Sequence, residues 1–371
     1  MPLRLARILR WSWPVVAGLA LCAGPLAAAL AEGAAEHGKS GVVGLIVDGD
    51  GTSLAMAQDL ASAIDDGATR RVLPVVGHGG VRDLIDLSAL RSIDVAIISK
   101  DALDLAKKPN SQVSVENVTY IARLYNEELH ILARPHIKSI EDLAGRRVNF
   151  DGSAVVTGPQ VLDLLKIDVE AAFDDPAVAQ AKLKSGDIAA IVYLAAKPTP
   201  RFAMLNDTNG VHFLPVPMKP ALAGSYTQAV LSAKDYPRLV RDEAPVETIA
   251  VGMVMVAGNV PKNSDRYRNI ANFVEAFFTQ LPQLQDAHRR AKWGEVNLAT
   301  ELLGWTRFPP AEAWVKHHVV AAPQIAKEDD LQATFAKFLD EHSRQSGGRE
   351  LSTQEKDQLF DQFRRWKSAT Q

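Results

Sequence analysis

Cysteine is nearly absent from this chain. The single residue, Cys22, lies inside an apolar amino-terminal run of a 371-residue sequence. A disulfide framework is therefore excluded, and removal of that run would also exclude a thiolate nucleophile or a thiolate metal site. Lipid attachment at Cys22 calls for a small residue just before it, and Leu21 stands there. Metal motifs are equally scarce. The nine histidines (residues 37, 78, 130, 136, 212, 288, 317, 318 and 342) are scattered, with no His-Glu-x-x-His and no carboxylates at ligand spacing. Neither a metal nor another cofactor is expected. No Gly-x-Ser-x-Gly elbow occurs, so an exported hydrolase has no local support and no catalytic residue is named. Excess positive charge is missing as well. The 41 basic residues face 44 acidic ones, for a net charge of −3, which disfavours a nucleic-acid role.

What is present begins with a leader. Arg4, Arg7 and Arg10 precede the uncharged run Val15–Ala31, and Ala29-Leu30-Ala31 offers a small-x-small cleavage site. Residues 1–31 thus read as a secretory signal peptide cleaved near Ala31. The alternative is a retained membrane anchor, for which the run lies at the lower limit of length. Loss of the three arginines takes the charge from −3 to −6. An acidic protein can still carry a local electropositive site.

The body of the chain repeats one unit, a short apolar strand, a loop of small residues and a helix. Val42–Val47 runs into Asp48-Gly49-Asp50-Gly51-Thr52-Ser53 and a helical stretch to Asp66; Val95–Ile98 runs into Ser99-Lys100-Asp101; Arg147–Phe150 runs into Asp151-Gly152-Ser153-Ala154. Strands alternating with helices predict an α/β fold with a mainly parallel sheet. Two extended runs, Val118–Tyr125 and Leu129–Arg134, are separated by a hairpin-like break at Asn126-Glu127-Glu128. A second α/β set follows, with helices at Thr157–Ile167 and Pro176–Ser185 and strands at Ile188–Leu194 and Val211–Val216. The apolar run Thr248–Val256 then suits a strand returning to the first set. Two crossings between lobes make a hinge with a central cleft. The expected division is residues 32–134 plus 248–285 for lobe one, 135–247 for lobe two, and 286–371 for a helical carboxy-terminal extension. The protein is expected to be a monomer.

Ligands of open α/β sheets sit beyond the carboxyl ends of the strands, where helix N-termini favour anions. The candidate binding residues are therefore the loop residues Gly51, Thr52 and Ser53, Ser99 and Lys100, and Gly152, Ser153 and Thr157. Arg123 offers a bidentate fork for a carboxylate, with Tyr125 two residues on and hence on the same strand face. Tyr193, at the end of its strand, is placed to stack on a ligand. A calcium loop at Asp48 and Asp50 lacks its further oxygen ligand and its glycine. These residues together predict a small, anionic organic solute, a carboxylate or amino acid.

The order of segments resembles the solute receptors of tripartite ATP-independent periplasmic (TRAP) transporters, in the TAXI branch. The matching stretches are Gly49–Ala61, Leu90–Asp101, Tyr120–Arg134, Ile137–Phe150 with Gly152-Ser153 after it, and Lys184–Val192. The resemblance covers roughly residues 42–285. It implies a two-lobe type II periplasmic-binding-protein architecture, a periplasmic location, no enzyme activity, and delivery of the solute to membrane-embedded TRAP permease subunits. Leu54 and Ala55 stand where the family carries an aromatic pair. The alternative is therefore a non-transport sensory or interaction module with a degenerate cleft.

Overall fold

Strands that are apolar at every position cannot face water on either side, so they demand helices on both faces. The computed structural model describes residues 41–318 apart from positions 50, 68, 109–110, 112, 114, 153, 206–209 and 287–289. The leader, Ser153 and the expected helices beyond residue 318 lie outside the described residues.

The first α/β set comprises β1 (Gly41–Asp48), α1 (Thr52–Ile64), β2 (Arg70–Gly77), α2 (Gly80–Ala89), β3 (Val95–Ser99) and α3 (Lys100–Leu105). All five residues of β3 are buried. After the long strand β4 (Val118–Ala133) comes the second set: β5 (Arg147–Asp151), α4 (Ala154–Leu164), β6 (Glu170–Ala172), α5 (Pro176–Ser185), β7 (Ala190–Ala195) and α6 (Pro200–Ala203). Short strands β8 (His212–Phe213) and β9 (Thr227–Leu231) lead to β10 (Val246–Gly258), followed by α7 (Asp265–Leu284) and α8 (Pro309–His318). The strand expected over Val211–Val216 is reduced to the two residues of β8.

One ten-stranded sheet runs through both lobes in the order β2-β1-β3-β10-β4-β7-β5-β6, with β8 on β4 and β9 on β10. Its continuity comes from β4 and β10. At about 3.3 Å per residue, the 16 residues of β4 reach about 50 Å, enough to cross both lobes. The front of β4 and the end of β10 pair with each other beside β3, while Glu128–Ala133 pairs antiparallel with Ala190–Ala195. Within each set the pairing is parallel, β1 with β2 and β3, and β5 with β6 and β7.

The expected break at Asn126-Glu127-Glu128 is not a turn. These residues continue β4 and pair with Gly252, Val251 and Ala250 of β10. Three polar residues read as a turn because strands rarely bury charge. Here the polar groups are satisfied in place. The Asn126 N–H donates to Glu295 Oε2 at 2.8 Å, and Lys292 Nζ donates to Glu128 Oε1 at 3.0 Å.

Each lobe is a sheet covered on both faces. In lobe one, α1 and α7 bury Met56, Leu60, Phe273 and Phe277 against Leu45, Val47 and Ile97, while Leu84 and Leu87 of α2 cover the other face. In lobe two, Val161 and Leu162 of α4 cover one face, and Phe202, Phe213 and Tyr236 cover the other. Residues expected to open a separate extension instead join lobe one. Trp293, Phe308 and Ala311 are fully buried in the core of β1 and α7. The backbone N–H of Tyr120 donates to the Thr306 carbonyl at 3.0 Å, and that of Phe308 to the Tyr120 carbonyl at 2.7 Å.

Candidate functional site

The carboxyl ends of β1, β3, β5 and β7 face one another across the seam between the lobes, and there the two lobes touch. Gly51 carries φ +94°, a conformation that suits glycine. A Cβ on it would stand 2.9 Å from the Tyr193 hydroxyl of β7. Thr52 Oγ1 accepts a hydrogen bond from the Ala196 N–H at 3.0 Å. From the other side, Gly152 at φ +55° closes on Asp48, where a Cβ would meet Oδ2 at 3.1 Å and Tyr193 Cε2 at 3.3 Å. The Tyr226 hydroxyl of lobe two donates to Asp101 Oδ2 at 3.0 Å, and Gly80 at the start of α2 lies against Val156 of α4. These contacts put the lobes in a closed arrangement.

The structure thus brings Gly51, Thr52, Gly152 and Tyr193 together. Ser53 reaches inward from the same loop, its Oγ 3.0 Å from the Tyr125 hydroxyl and 3.5 Å from Glu127 Oε1. Thr157, in the first turn of α4, and Ser99, at the end of β3, are both buried, and neither hydroxyl has a hydrogen-bond partner among the described residues. Ser99 precedes α3 without a side-chain capping bond.

Two of the expected residues have side-chain partners within their own elements, and one geometric expectation is corrected. Lys100 is engaged by Asp104 one turn along α3, where the i,i+4 spacing places the two side by side. Arg123 and Tyr125 do not form one face of a regular strand. A bulge in the β4–β10 pairing lies between Arg123 and Asn126 and breaks the two-residue alternation. Tyr125 packs in the lobe-one core beside Leu124, while Arg123 Nη2 donates to Asn126 Oδ1 at 3.0 Å. The Tyr193 ring is covered by protein, with the Arg201 guanidinium 4.6 Å from its centroid and Phe202 set edge-on at 5.9 Å.

Sequence reasoning missed the carboxylates. Asp48, Asp101, Glu127, Glu128 and Asp151 are buried around this seam. Arg201 pairs with Asp151, and Lys292 with both Glu128 and Glu295. Burial pushes the Glu127 carboxyl well above the ordinary range, and the Asp48 and Glu128 charges add to the effect. Glu128 is also raised by burial, against the pull of Lys292. Burial opposes the Lys292 charge, but Glu128 and Glu295 hold its pKa above the usual value. At the rim, Asp83 is raised to about 6 by burial, although the His78 and Gly79 N–H groups donate to its Oδ1. The available signal was the position of these residues, Asp48 and Asp151 ending parallel strands and Glu127-Glu128 interrupting an apolar run.

The chain matches the NMT1-like family over residues 51–309, a stretch that takes in lobe two and most of lobe one. It belongs to that family. Among solved structures, the NMT1-like chain is similar to a substrate-binding protein of an amino acid ABC transporter, at 14% identity over 68% of this chain and 96% of that one, with a TM-score of 0.41. It is similar to the alkanesulfonate-binding protein SsuA from Xanthomonas axonopodis pv. citri bound to MOPS, at 13% identity over 68% and 76%, with a TM-score of 0.42. It is also similar to holo ArgBP from T. maritima, at 15% identity over 65% and 91%, with a TM-score of 0.39. At such scores no residue role passes from these proteins to the NMT1-like chain. No helix among the described residues is long and apolar enough to cross a membrane.

Proposed function

We propose that this NMT1-like protein is an extracytoplasmic solute receptor that closes its two lobes over a small organic molecule and hands it to a membrane transporter. The observation that carries the reading is the pair of cross-lobe hydrogen bonds, Thr52 to Ala196 and Tyr226 to Asp101, between strand ends of two α/β lobes joined by β4 and β10. A solute bridging these loops favours the closed form because it contacts both lobes at once. The residues in contact range are Gly51, Thr52, Ser53, Gly152, Thr157 and Tyr193, with Asp48 and Glu127 added. The receptor does no chemistry on its solute.

Small-angle scattering together with thermal unfolding tests this reading. A bound solute compacts the particle, and at a hundredfold excess over Kd it raises stability by about 2.7 kcal/mol. Recovery of the solute unaltered separates receptor from enzyme. No stabiliser across a broad panel of small organic molecules would favour the degenerate module. The narrower assignment, a TAXI-type receptor serving a TRAP permease, rests on the matching sequence stretches. Uptake into vesicles that collapses with the ion gradient and persists without ATP would support it.

A further inference from the structure

We infer that lobe two carries a second binding site at its outer pole, a pocket in which Arg134, Arg146 and Arg147, with His136 beside them, hold a phosphate or phosphomonoester. The site is separate from the cleft and goes beyond the receptor reading.

Topology places the pocket. Arg147 opens β5, and the other end of that strand, Asp151, stands at the seam about 13 Å away at 3.3 Å per residue. Arg134 follows the last residue of β4, where β4 pairs with the start of β7. Gly186 and Asp187 close α5 beside them. These turns surround a cavity of about 240 Å³ lined by Arg134, His136, Arg146, Arg147 and Asp187. A water takes about 30 Å³, so a tetrahedral oxyanion fits with water beside it.

The three guanidiniums are available to such a ligand. Arg134 is half-buried and held in place, its Nη1 donating to the Gly186 carbonyl at 3.2 Å. Gly186 has φ +93°, and a Cβ there would collide with that guanidinium. Arg146 is exposed, and its side chain has no hydrogen bond or ion pair among the described residues. Its charge reaches Asp142, whose carboxyl is held below the ordinary range chiefly by the Lys138 and Ser139 N–H groups. Arg147 meets Glu170 at 3.5 Å in an exposed pair, a kind of contact worth little in water. Asp187, the carboxylate of the lining, accepts the Ser185 hydroxyl at 2.7 Å.

Backbone groups do not make this site. The N–H groups of Arg146, Gly186, Asp187 and Ala189 donate to the Leu143, Lys182 and Arg147 carbonyls. Recognition therefore falls to side chains that only donate. Each guanidinium is a planar fork of donors matched to a phosphate, whose oxygens can be shared among several forks, whereas a carboxylate offers two oxygens. The chain as a whole carries a net charge of −3, so three arginines around one cavity form a local field of the opposite sign.

The test titrates the mature protein with inorganic phosphate and with glycerol 3-phosphate by calorimetry, in a low-salt buffer free of other oxyanions. A second arm pellets the protein with vesicles of phosphatidic acid in phosphatidylcholine. Saturable binding is expected in at least one arm, the first marking a soluble phosphate and the second a lipid headgroup. Arg146→Ala and Arg134→Gln should each weaken it by about tenfold, with circular dichroism checking that each variant folds; the exposed Arg146 can be truncated without touching the core. Small-angle scattering should be unchanged by phosphate, because the pocket lies within one lobe. Compaction by phosphate would put the ligand in the cleft and overturn the pocket. Binding that survives both substitutions, or no binding in either arm, would overturn it as well.

Discussion

Asp83 shapes the turn before α2 at the edge of the seam. Its Oδ1 accepts the His78 and Gly79 N–H groups at 2.9 and 3.0 Å, which shapes the turn that brings Gly80 against Val156 of the opposite lobe. Gly77 makes room for this carboxylate, and its Oδ2 has no partner among the described residues. Burial raises the Asp83 pKa from 3.8 to about 6, with the Asp48 charge contributing. A raised folded-state pKa means that Asp83 contributes fully below its unfolded pKa, and that this contribution is lost as pH rises through about 6. The rise of about two units corresponds to about 3 kcal/mol, of which about 2–3 kcal/mol falls between about pH 4 and pH 7. Asp83→Asn cannot ionise. Urea unfolding of both proteins across this range should therefore show the wild type losing about 2–3 kcal/mol relative to the variant as pH rises. Comparing the two cancels the other carboxylates, including Asp104 and Asp235, whose partners hold them below the ordinary range against the upward push of burial. Any loss of hydrogen-bond quality in the variant is an offset independent of pH, so the slope is the measurement. Parallel stability curves would refute the reasoning and show that water reaches Asp83 freely.

Other expectations follow from single contacts. Thr52→Val removes the acceptor of the Ala196 N–H and should weaken closure by about 1 kcal/mol, seen as a less compact liganded particle in scattering. Lys292→Met leaves Glu128 buried without its cation and should cost about 3–5 kcal/mol in denaturant unfolding; a near-neutral result would mean that Glu128 is wet. Trp293→Ala empties a fully buried site in the lobe-one core and removes the indole bond to Asp59, so a loss of about 3–5 kcal/mol is expected. Arg123→Lys should change solute affinity less than twofold by calorimetry, because Asn126 is the partner that the structure gives Arg123.

The architecture was legible where one signal dominated. Fully apolar runs such as Val95–Ile98, followed by small residues and an amphipathic helix, admit little besides a parallel α/β layer. Glycine positions carried much of the seam. Gly51 and Gly152 stand where Tyr193 and Asp48 approach too closely for a larger residue, and both were marked by their place after a strand.

The parts that misled share one cause, which is that charge in a sequence does not declare its surroundings. Glu127 and Glu128 resemble a turn because two adjacent carboxylates are far more often solvated than buried. In a strand that crosses between lobes, the opposite inference is the useful one. The sheet cannot break there without severing the lobes, so carboxylates at that point must be held by something. Lys292 holds Glu128 from a segment 164 residues away, a pairing that no local pattern reveals. Glu127 has Ser53 of the first loop as its described hydrogen-bond donor, with Asp48 close enough to raise its pKa. Helix N-termini argued for an anion because their dipoles are fixed by the backbone, but each is equivalent to only about half a charge. Carboxylates stand at two of the same strand ends, Asp48 on β1 and Asp151 on β5, the latter paired with Arg201, so the helix N-termini do not act alone there.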